Sequence, residues 1–415
     1  MGVERAFSPL RGKPARSDTG LQGNSRPVRR MAESIHPFPD LLEMSCDAIL
    51  TRYRTQQRRD FEAAFRRLAD DGGLLPALPR LHGLLQLSPD NPLARNLDMD
   101  RMQALFADMH QHVLGHPVWT HPFFRRFFDA AMTRDQVARF LCHYLNQVKN
   151  TRQCVALACG RFHSLAALPF GRLNEPVSEL VQVVLAGLLA DEYGIEAQAP
   201  GGGTLAIDEL INKRTHIVLY RQLFELLEVA PADQDVQFLP EVADNVLIQR
   251  VLAGSDACRE VEALASVGLG MEWGVPTIFS QLLGGLIRYA DREGLAWSPQ
   301  HFAVLSGHVQ QDVDHAISVM VATALLVNGE EDIQAIKNAT NMLMASRYAM
   351  MSGIYRDVFN APCASIDEIA LAPVYHVGDR RIAEQLIAAR SRTPDGQVAD
   401  QAAWSVSDRV PFVFS

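Results

Sequence analysis

Three side chains with metal-binding chemistry, His308, Asp312 and His315, occur at helical spacing in one short stretch of the chain. At about 100° per residue on an α-helix, Asp312 lies about 40° from His308, and His315 lies about 20° away on its other side. Two imidazoles and one carboxylate therefore converge from one helical face. First-row transition metals such as iron accept this combination of ligands. Asp314 points well away from that face, so we interpret it as solvated or as an outer neighbour of the ligands.

Three ligands from one helix do not complete a metal site, so facing helices must supply more. Glu192 lies near the end of a strongly apolar segment, whereas Glu179, 13 residues earlier, falls on the opposite side and should be solvated. Glu272 is a lone acid among apolar and small residues, and an unpaired buried carboxylate is costly unless it is neutralised, paired or bound to a metal. His216 opens an amphipathic run. The alternatives are a water-exposed helix-end carboxylate for Glu272 and an ordinary core or surface histidine for His216.

Helical periodicity dominates the elements that must position these residues, and strand-like alternation is nearly absent. The pattern predicts an all-α protein whose bundle interior is the natural place for a metal site. Thr133 and Gln136 have the spacing of a capping box that opens one long helix. The predicted helices of the main domain span 101–114, 121–131, 134–164, 175–197, 204–229, 240–253, 256–271, 276–293, 298–325 and 330–358.

The chain divides into four parts by composition and periodicity. Residues 1–30 carry seven basic and two acidic residues and lack apolar periodicity, so we expect a disordered, dispensable leader. Residues 31–100 form an accessory helical segment, in which one helical pattern stops at Asp70. Residues 101–358 form the helical domain, and residues 359–415 form a C-terminal extension of mixed composition.

Composition restricts the class of protein. The chain has 415 residues, of which 48% are hydrophobic and 21% charged, as expected for a soluble globular protein. No uninterrupted apolar run is long enough to span a bilayer, and the acidic body, within a net charge of −9, argues against nucleic acid as a partner. The cysteines are scattered, which favours free thiols in a reducing cytoplasm. They are Cys46, Cys142, Cys154, Cys159, Cys258 and Cys363.

The motifs together resemble the heme-oxygenase-like di-iron oxidases and oxygenases, over roughly residues 101–358. The segments that carry the resemblance are His116-Pro-Val-Trp-Thr-His-Pro-Phe-Phe124, Arg139-Phe-Leu-Cys-His-Tyr-Leu-Asn-Gln147, Asp191-Glu-Tyr-Gly194, His216 with Leu219-Tyr220, Glu272, and the His308, Asp312 and His315 triad. The resemblance implies a seven-helix bundle that binds two Fe²⁺ ions. Carried over position by position, it implies the ligands Glu192, His216, Glu272, His308, Asp312 and His315.

One departure from the family's pattern concerns the first two ligands. In the family, the glutamate and histidine of this core helix are usually separated by two or three turns, whereas Glu192 and His216 are 24 residues apart with a Gly-rich insertion between them. Glu209 lies seven residues before His216 on the same helical face, so it is a rival ligand. We favour Glu192, because Asp-Glu-Tyr-Gly and the downstream Leu-Tyr pair both fit the family's motif.

The resemblance also implies chemistry and partners. Two ferrous ions and O2 as co-substrate would oxidise an amine or amino-acid-derived substrate by N-oxygenation, in the biosynthesis of a specialised metabolite. The alternatives are oxidative C–C or C–H cleavage at the same site, or a redox-inactive helical binding protein of the same fold. Accessory N-terminal helices make dimer contacts in some members, so we expect a homodimer, with an external electron donor for any electrons that the substrate does not supply. We expect neither nucleic acid nor a membrane as a partner.

Overall fold

The structure is a computed structural model. It describes residues 41, 44–71, 79–129, 131–162, 168–195, 215–363 and 384–385. The expected leader, the greater part of the C-terminal extension and the rival ligand Glu209 therefore lie outside the described residues.

Helices supply the regular structure of these residues, and none of the described residues lies in a strand. The prediction of an all-α protein is confirmed. The α-helices are α1 (Cys46–Asp70), α2 (Pro79–Gln86), α3 (Leu93–Asn96), α4 (Met99–Leu114), α5 (Pro122–Phe128), α6 (Arg134–Arg161), α7 (Asn174–Glu192), α8 (His216–Leu226), α9 (Pro240–Gly254), α10 (Glu260–Ala265), α11 (Val275–Arg292), α12 (Ala303–Leu326) and α13 (Glu330–Phe359). A π-helix, Ser266–Glu272, joins α10 to the turn before α11.

Local signals account for several of the helix ends. Thr133 and Gln136 form the predicted capping box at the start of α6, with the Thr133 side chain accepting from the Gln136 backbone N–H. Helix α1 ends at Asp70, where its pattern was expected to stop. Helix α13 ends where Asn360 takes a left-handed conformation (φ 47°), which asparagine tolerates better than most residues. These ends position the long helices that carry the candidate ligands.

The helix with the His-Asp-His triad, α12, lies among the other elements that carry candidate ligands. It packs against α11, the π-helix, α7 and α8. Helices α6, α9 and α13 pack against one another on another side of the domain, and the π-helix also contacts α13. The apolar faces of these helices form one core, as the periodicity predicts. Candidate ligands from four separate elements can therefore meet inside it.

The π-helix is a departure from the expected regular helix over 256–271. The chain is α-helical only to Ala265, and the following turns widen, with Trp273 N–H donating to the Gly268 carbonyl at 3.0 Å. Its glycines allow close packing, because a Cβ on Gly268 would meet Val319 of α12 and a Cβ on Gly270 would meet Leu343 of α13. Periodicity cannot distinguish one wide turn from an α-helix. Such π-turns are frequent at functional sites, and this one ends at Glu272.

The accessory helices are not separate from the domain. Helix α1 packs against α11, where Ile49 lies close to Gly284. Gln57 of α1 donates to the Trp273 carbonyl, directly after the π-helix. All described residues belong to one compact unit. The described part of 31–100 therefore helps to fix the segment that carries Glu272.

One helical stretch among the described residues, Gly171–Glu192, is long and apolar enough to cross a membrane by length and composition alone. A third of its most apolar window is buried within the protein. One such helix is a weak indication of a membrane span, because core helices of soluble proteins meet the same criterion.

Gly274 follows the π-helix at a point where there is no room for a side chain. A Cβ there would lie 1.9 Å from the Trp119 ring, which is fully buried. We expect Gly274→Ala to lower the free energy of unfolding by about 1–3 kcal/mol through overpacking. Gly187→Ala on α7 is the matched control, since nothing lies within 4 Å of that position. It should raise stability by up to about 1 kcal/mol through helix propensity. Urea unfolding measures both, and equal effects would contradict this packing.

Candidate metal centre

Six potential ligands meet inside the domain in two groups of three. Each group offers ligand atoms that lie within 4.8 Å of one another. The first group is Glu192, His216 and His308, and the second is Glu272, Asp312 and His315. The triad on α12 is therefore divided, since His308 joins one group while Asp312 and His315 join the other.

The first group brings together the end of α7, the start of α8 and the second turn of α12. His216 Nδ1 lies 3.1 Å from Glu192 Oε2, and His308 Nε2 lies 4.0 Å from Glu192 Oε1. The His216 and His308 rings lie 4.5 Å apart between centroids. Thr215 caps α8 by accepting from the Val218 N–H, so the helix begins with His216 facing Glu192.

The contact between His216 and Glu192 is close but not directional. Although the two atoms are 3.1 Å apart, the buried Nδ1 has no hydrogen bond of acceptable geometry. We therefore treat the contact as electrostatic. In the second group, Asp312 Oδ2 is likewise buried without a hydrogen-bond partner. Buried polar atoms are normally satisfied, and a metal ion shared by each group would satisfy both. The residues thus fit two cations.

A backbone contact fixes the protonation of His308. Its Nδ1 lies 2.6 Å from the Val304 carbonyl oxygen, one turn earlier on α12, so Nδ1 must carry the proton. Nε2, the atom near Glu192, is then left with a lone pair. Metal-binding histidines are typically oriented in this way, with the second ring nitrogen donating to a carbonyl or carboxylate. Burial, together with the neighbouring His216, lowers the pKa of His308 to about 4, so the ring is neutral at physiological pH.

The second group joins the π-helix to α12. Glu272 ends the π-helix and is 3% exposed, and Asp312 is also 3% exposed. His315 Nδ1 lies 3.9 Å from Asp312 Oδ1, one turn before it on α12. The expectation that Asp314 lies off the ligand face agrees with its exposure.

The electrostatics of the carboxyl groups differ between the two groups. Burial and the charge of Glu192 raise the pKa of Glu272 to about 8. Burial and the neighbouring Glu272 and Glu192 also raise the pKa of Asp312 well above its usual value. For Glu192, burial raises the pKa, but the interactions with His216, His308 and His315 together outweigh burial, and the pKa is lowered. When no cation is bound, burial therefore favours the protonated forms of Glu272 and Asp312 in the second group.

Asp191 contacts both groups from their outer side, a role that sequence reasoning did not assign. Its Oδ2 lies 3.7 Å from His216 Nε2 and 3.8 Å from His315 Nε2. A carboxylate in this position can orient two ligating imidazoles. The only signal was its place beside Glu192 in the Asp-Glu-Tyr-Gly motif.

A small cavity of about 30 Å³ opens beside the two groups. Glu192, His216, His308 and Glu272 line it on one side. Its remaining walls include apolar side chains from the π-helix, α11 and α12, and polar ones from α6 and α13. These further lining residues are Tyr144, Gln147, Val148, Thr151, Met271, Val275, Phe279, Val304 and Arg347. On α13, Arg347 lines the cavity, whereas its neighbour Tyr348 packs against His121.

The remaining histidines named in the family segments are used elsewhere. His116 and His121 stabilise the turns around Trp119, since each Nδ1 accepts from a backbone N–H two residues later. His143 does not line the cavity and instead pairs with Asp357, 3.0 Å away. Glu179 is exposed, as expected for the far side of α7.

Comparisons with known proteins add little to this geometry. No family model matches the chain, and no curated protein matches its sequence. A solved structure of a TenA homolog from Pseudomonas syringae pv. tomato str. DC3000 is similar with a TM-score of 0.44 and 14% identity, covering 62% of this chain and 92% of that one. A likeness this distant supports no statement about activity, so the chain's own residues carry the functional argument.

The raised pKa of Glu272 predicts a pH-dependent stability of the metal-free protein. A carboxyl group whose pKa is higher in the folded state stabilises the fold while protonated, and this contribution is lost as the pH rises through about 8. Between about pH 6 and pH 8.5, the wild type should lose on the order of 2 kcal/mol of unfolding free energy relative to Glu272→Gln. Denaturant unfolding of both metal-free proteins measures this difference. Parallel pH profiles would show that Glu272 is not buried as described.

Proposed function

We propose that this protein is a heme-oxygenase-like, non-heme di-iron enzyme that uses O2 to oxidise an amine or amino-acid-derived substrate by N-oxygenation. The observation that carries the proposal is that the two groups of three side chains, called trios below, lie beside one cavity. Each trio contains imidazole and carboxylate ligands. Nitrogen and oxygen ligands of this kind suit Fe²⁺. A biosynthetic role in specialised metabolism and a homodimeric state belong to the same proposal and rest on the resemblance of the sequence motifs.

The two trios would each hold one metal ion. Glu192, His216 and His308 would bind the first, and Glu272, Asp312 and His315 the second. Ferrous ions held by these residues would supply the electrons for O2 activation, which protein side chains cannot supply alone. Each trio fills only part of an iron coordination sphere, which would leave positions for O2 and substrate.

The cavity walls would protect the reaction from water. Met271, Val275, Phe279 and Val304 line it with apolar surface. Oxygenation of a nitrogen needs its lone pair, and an apolar wall favours an amine in its neutral form. Exclusion of water also prevents side reactions of a strong oxidant.

Tyr144 would supply a hydrogen-bond donor within the cavity. Burial raises the pKa of its phenol, so the O–H group stays protonated. The hydroxyl makes no hydrogen bond to any residue in the described part of the chain, although Tyr144 lines the cavity. It can therefore donate to a polar atom of a bound substrate.

Replacement of one ligand should reduce iron binding, whereas replacement of a neighbouring acid on the same helix should leave iron binding unchanged. We expect wild-type protein, loaded anaerobically with Fe²⁺, to hold two irons per chain. Asp312→Asn should fall clearly below two, because a neutral amide is a poor replacement for a buried carboxylate ligand. Asp314→Asn is the matched control and should match the wild type, since Asp314 is exposed. Iron analysis after gel filtration measures the content, and a wild type without iron would refute the proposal.

The glutamate of the first trio can be tested in the same way. Glu192→Gln should lose iron, whereas Glu179→Gln on the same helix should not. Glu209→Gln should also retain iron, and the reverse result for Glu192 and Glu209 would move the site along the chain.

The ferrous protein should consume O2, and a true substrate should accelerate this consumption. Oxygen uptake by iron-loaded protein, measured with amines and amino acids as additives, tests the redox function. Asp312→Asn should show little uptake, and product analysis by mass spectrometry should find added oxygen on nitrogen. A protein that holds two irons yet never consumes O2 with any additive would instead be a binding protein of this fold. Carbon–carbon cleavage products without N-oxygenation would replace the proposed reaction by oxidative cleavage.

A further inference from the structure

Arg347 is a buried cation with no carboxylate partner. It lies on α13, is 3% exposed and makes no ion pair with any residue in the described part of the chain. Arginine is seldom buried to this extent unless it is paired, because removing a guanidinium from water is costly. Burial lowers its pKa, but a guanidinium remains protonated at neutral pH. Its guanidinium carbon lies 6.0 Å from the centroid of the buried Trp119 ring, and this cation–π contact offsets only part of the cost. The charge of Arg347 therefore still lacks an anionic partner among the described residues.

One edge of this guanidinium is free. Nη1 donates to the Gly270 carbonyl of the π-helix at 3.0 Å. Nε is buried and has no hydrogen-bond partner, and Nη2 makes no hydrogen bond to a described residue. The Nε–Nη2 edge is the face with which arginine binds a carboxylate through two parallel hydrogen bonds.

Arg347 belongs to the wall of the cavity beside the two groups of ligands. Arg347 lines it together with Tyr144 and Glu272. It is close enough to Glu272 for an electrostatic interaction, yet the two do not form an ion pair. The cavity is thus bordered by the trios on one side and by an unpaired cation on another.

The charge balance that the centre would have with two metal ions also favours an anionic ligand. Glu192, Glu272 and Asp312 would bring three negative charges against the four positive charges of two divalent ions. Arg347 adds a further positive charge to this buried region, and Asp191, on the outer side, balances one. An anionic ligand in the cavity would reduce the remaining excess, whereas a cationic ligand would increase it.

We infer that Arg347 binds the carboxylate of the substrate through its free Nε–Nη2 edge, so the substrate is a carboxylic acid rather than a simple amine. The inference deepens the proposed function and rests on it for the position of the metal ions. Arg347 is thereby a determinant of substrate specificity.

Matched acids and amides test this inference. We would load the full-length protein with Zn²⁺, which has the charge of Fe²⁺ without its redox chemistry, and titrate it calorimetrically with L-leucine, L-leucinamide, hexanoate and hexanamide. Each acid should bind about tenfold or more tightly than its amide, because the amide loses the charge-assisted hydrogen bonds. Arg347→Met should abolish that preference while keeping its zinc content. Arg356→Met, an exposed position on the same helix, is the control and should keep the preference.

A purely structural role for Arg347 predicts another result. If the side chain only holds the π-helix through Gly270, Arg347→Met should weaken acids and amides equally. That outcome would overturn the inference, as would the absence of acid preference in the wild type. Arg347→Lys retains the charge but cannot bind a carboxylate in a bidentate manner, so it should keep only part of the preference for acids over amides. If Arg347→Met does not fold, Arg347→Lys decides, and an unchanged preference there would contradict the inference.

The proposed function and this inference can fail separately. Zinc and iron content report on the trios, whereas the ratio of acid to amide affinity reports on Arg347. If the wild type binds no metal, the same titration on the metal-free protein still compares acid with amide. An Arg347-dependent preference in either form supports the inference, and no such preference in both forms overturns it.

Discussion

The cost of burying three carboxyl groups in one helical interior governs this structure. Glu192, Glu272 and Asp312 are almost fully removed from water, and an unpaired ionised carboxylate there would cost several kcal/mol. The histidine neighbours of Glu192 favour its ionised form, whereas burial favours the protonated forms of Glu272 and Asp312. A fold selected only for stability would place apolar residues at these positions. The arrangement is reasonable where divalent ions supply the missing charge.

The π-helix determines where one of these carboxylates lies. A wide turn ending at Glu272 lets the chain approach α12 and α13 so closely that Gly268 and Gly270 have no space for a Cβ. One consequence is that the Gly270 carbonyl can accept from Arg347 across the helix interface. The same short segment therefore positions a candidate ligand and the buried cation opposite it. The close packing of the π-helix therefore determines the positions of both Glu272 and the Arg347 guanidinium.

Periodicity predicted the helices, and the family resemblance implied the six residues that meet, but neither predicted how the six are divided. The spacing of His308, Asp312 and His315 places them on one helical face, and this one-dimensional rule holds whatever the neighbours are. Their assignment to separate trios depends on where α7, α8 and the π-helix approach α12, which no local pattern encodes. Asp191 and Arg347 were not assignable for the same reason, since their roles arise from contacts between distant helices. Glu272 was predictable because a lone acid in an apolar segment contradicts its surroundings.

The cavity wall opposite the trios is held by hydrogen bonds of a different kind. Gln147 lines the cavity on α6, and its amide exchanges hydrogen bonds with Gln249 and accepts from Asn245, both on α9. Ser346, directly before Arg347 on α13, donates to the Asn245 side chain. These amides satisfy one another, so they stiffen the contact between α6, α9 and α13 without demanding a ligand. The side chains of this amide network have hydrogen-bond partners, whereas Arg347 Nε, His216 Nδ1 and Asp312 Oδ2 are buried without one. A bound cation and an anionic substrate in the cavity would complete these three atoms.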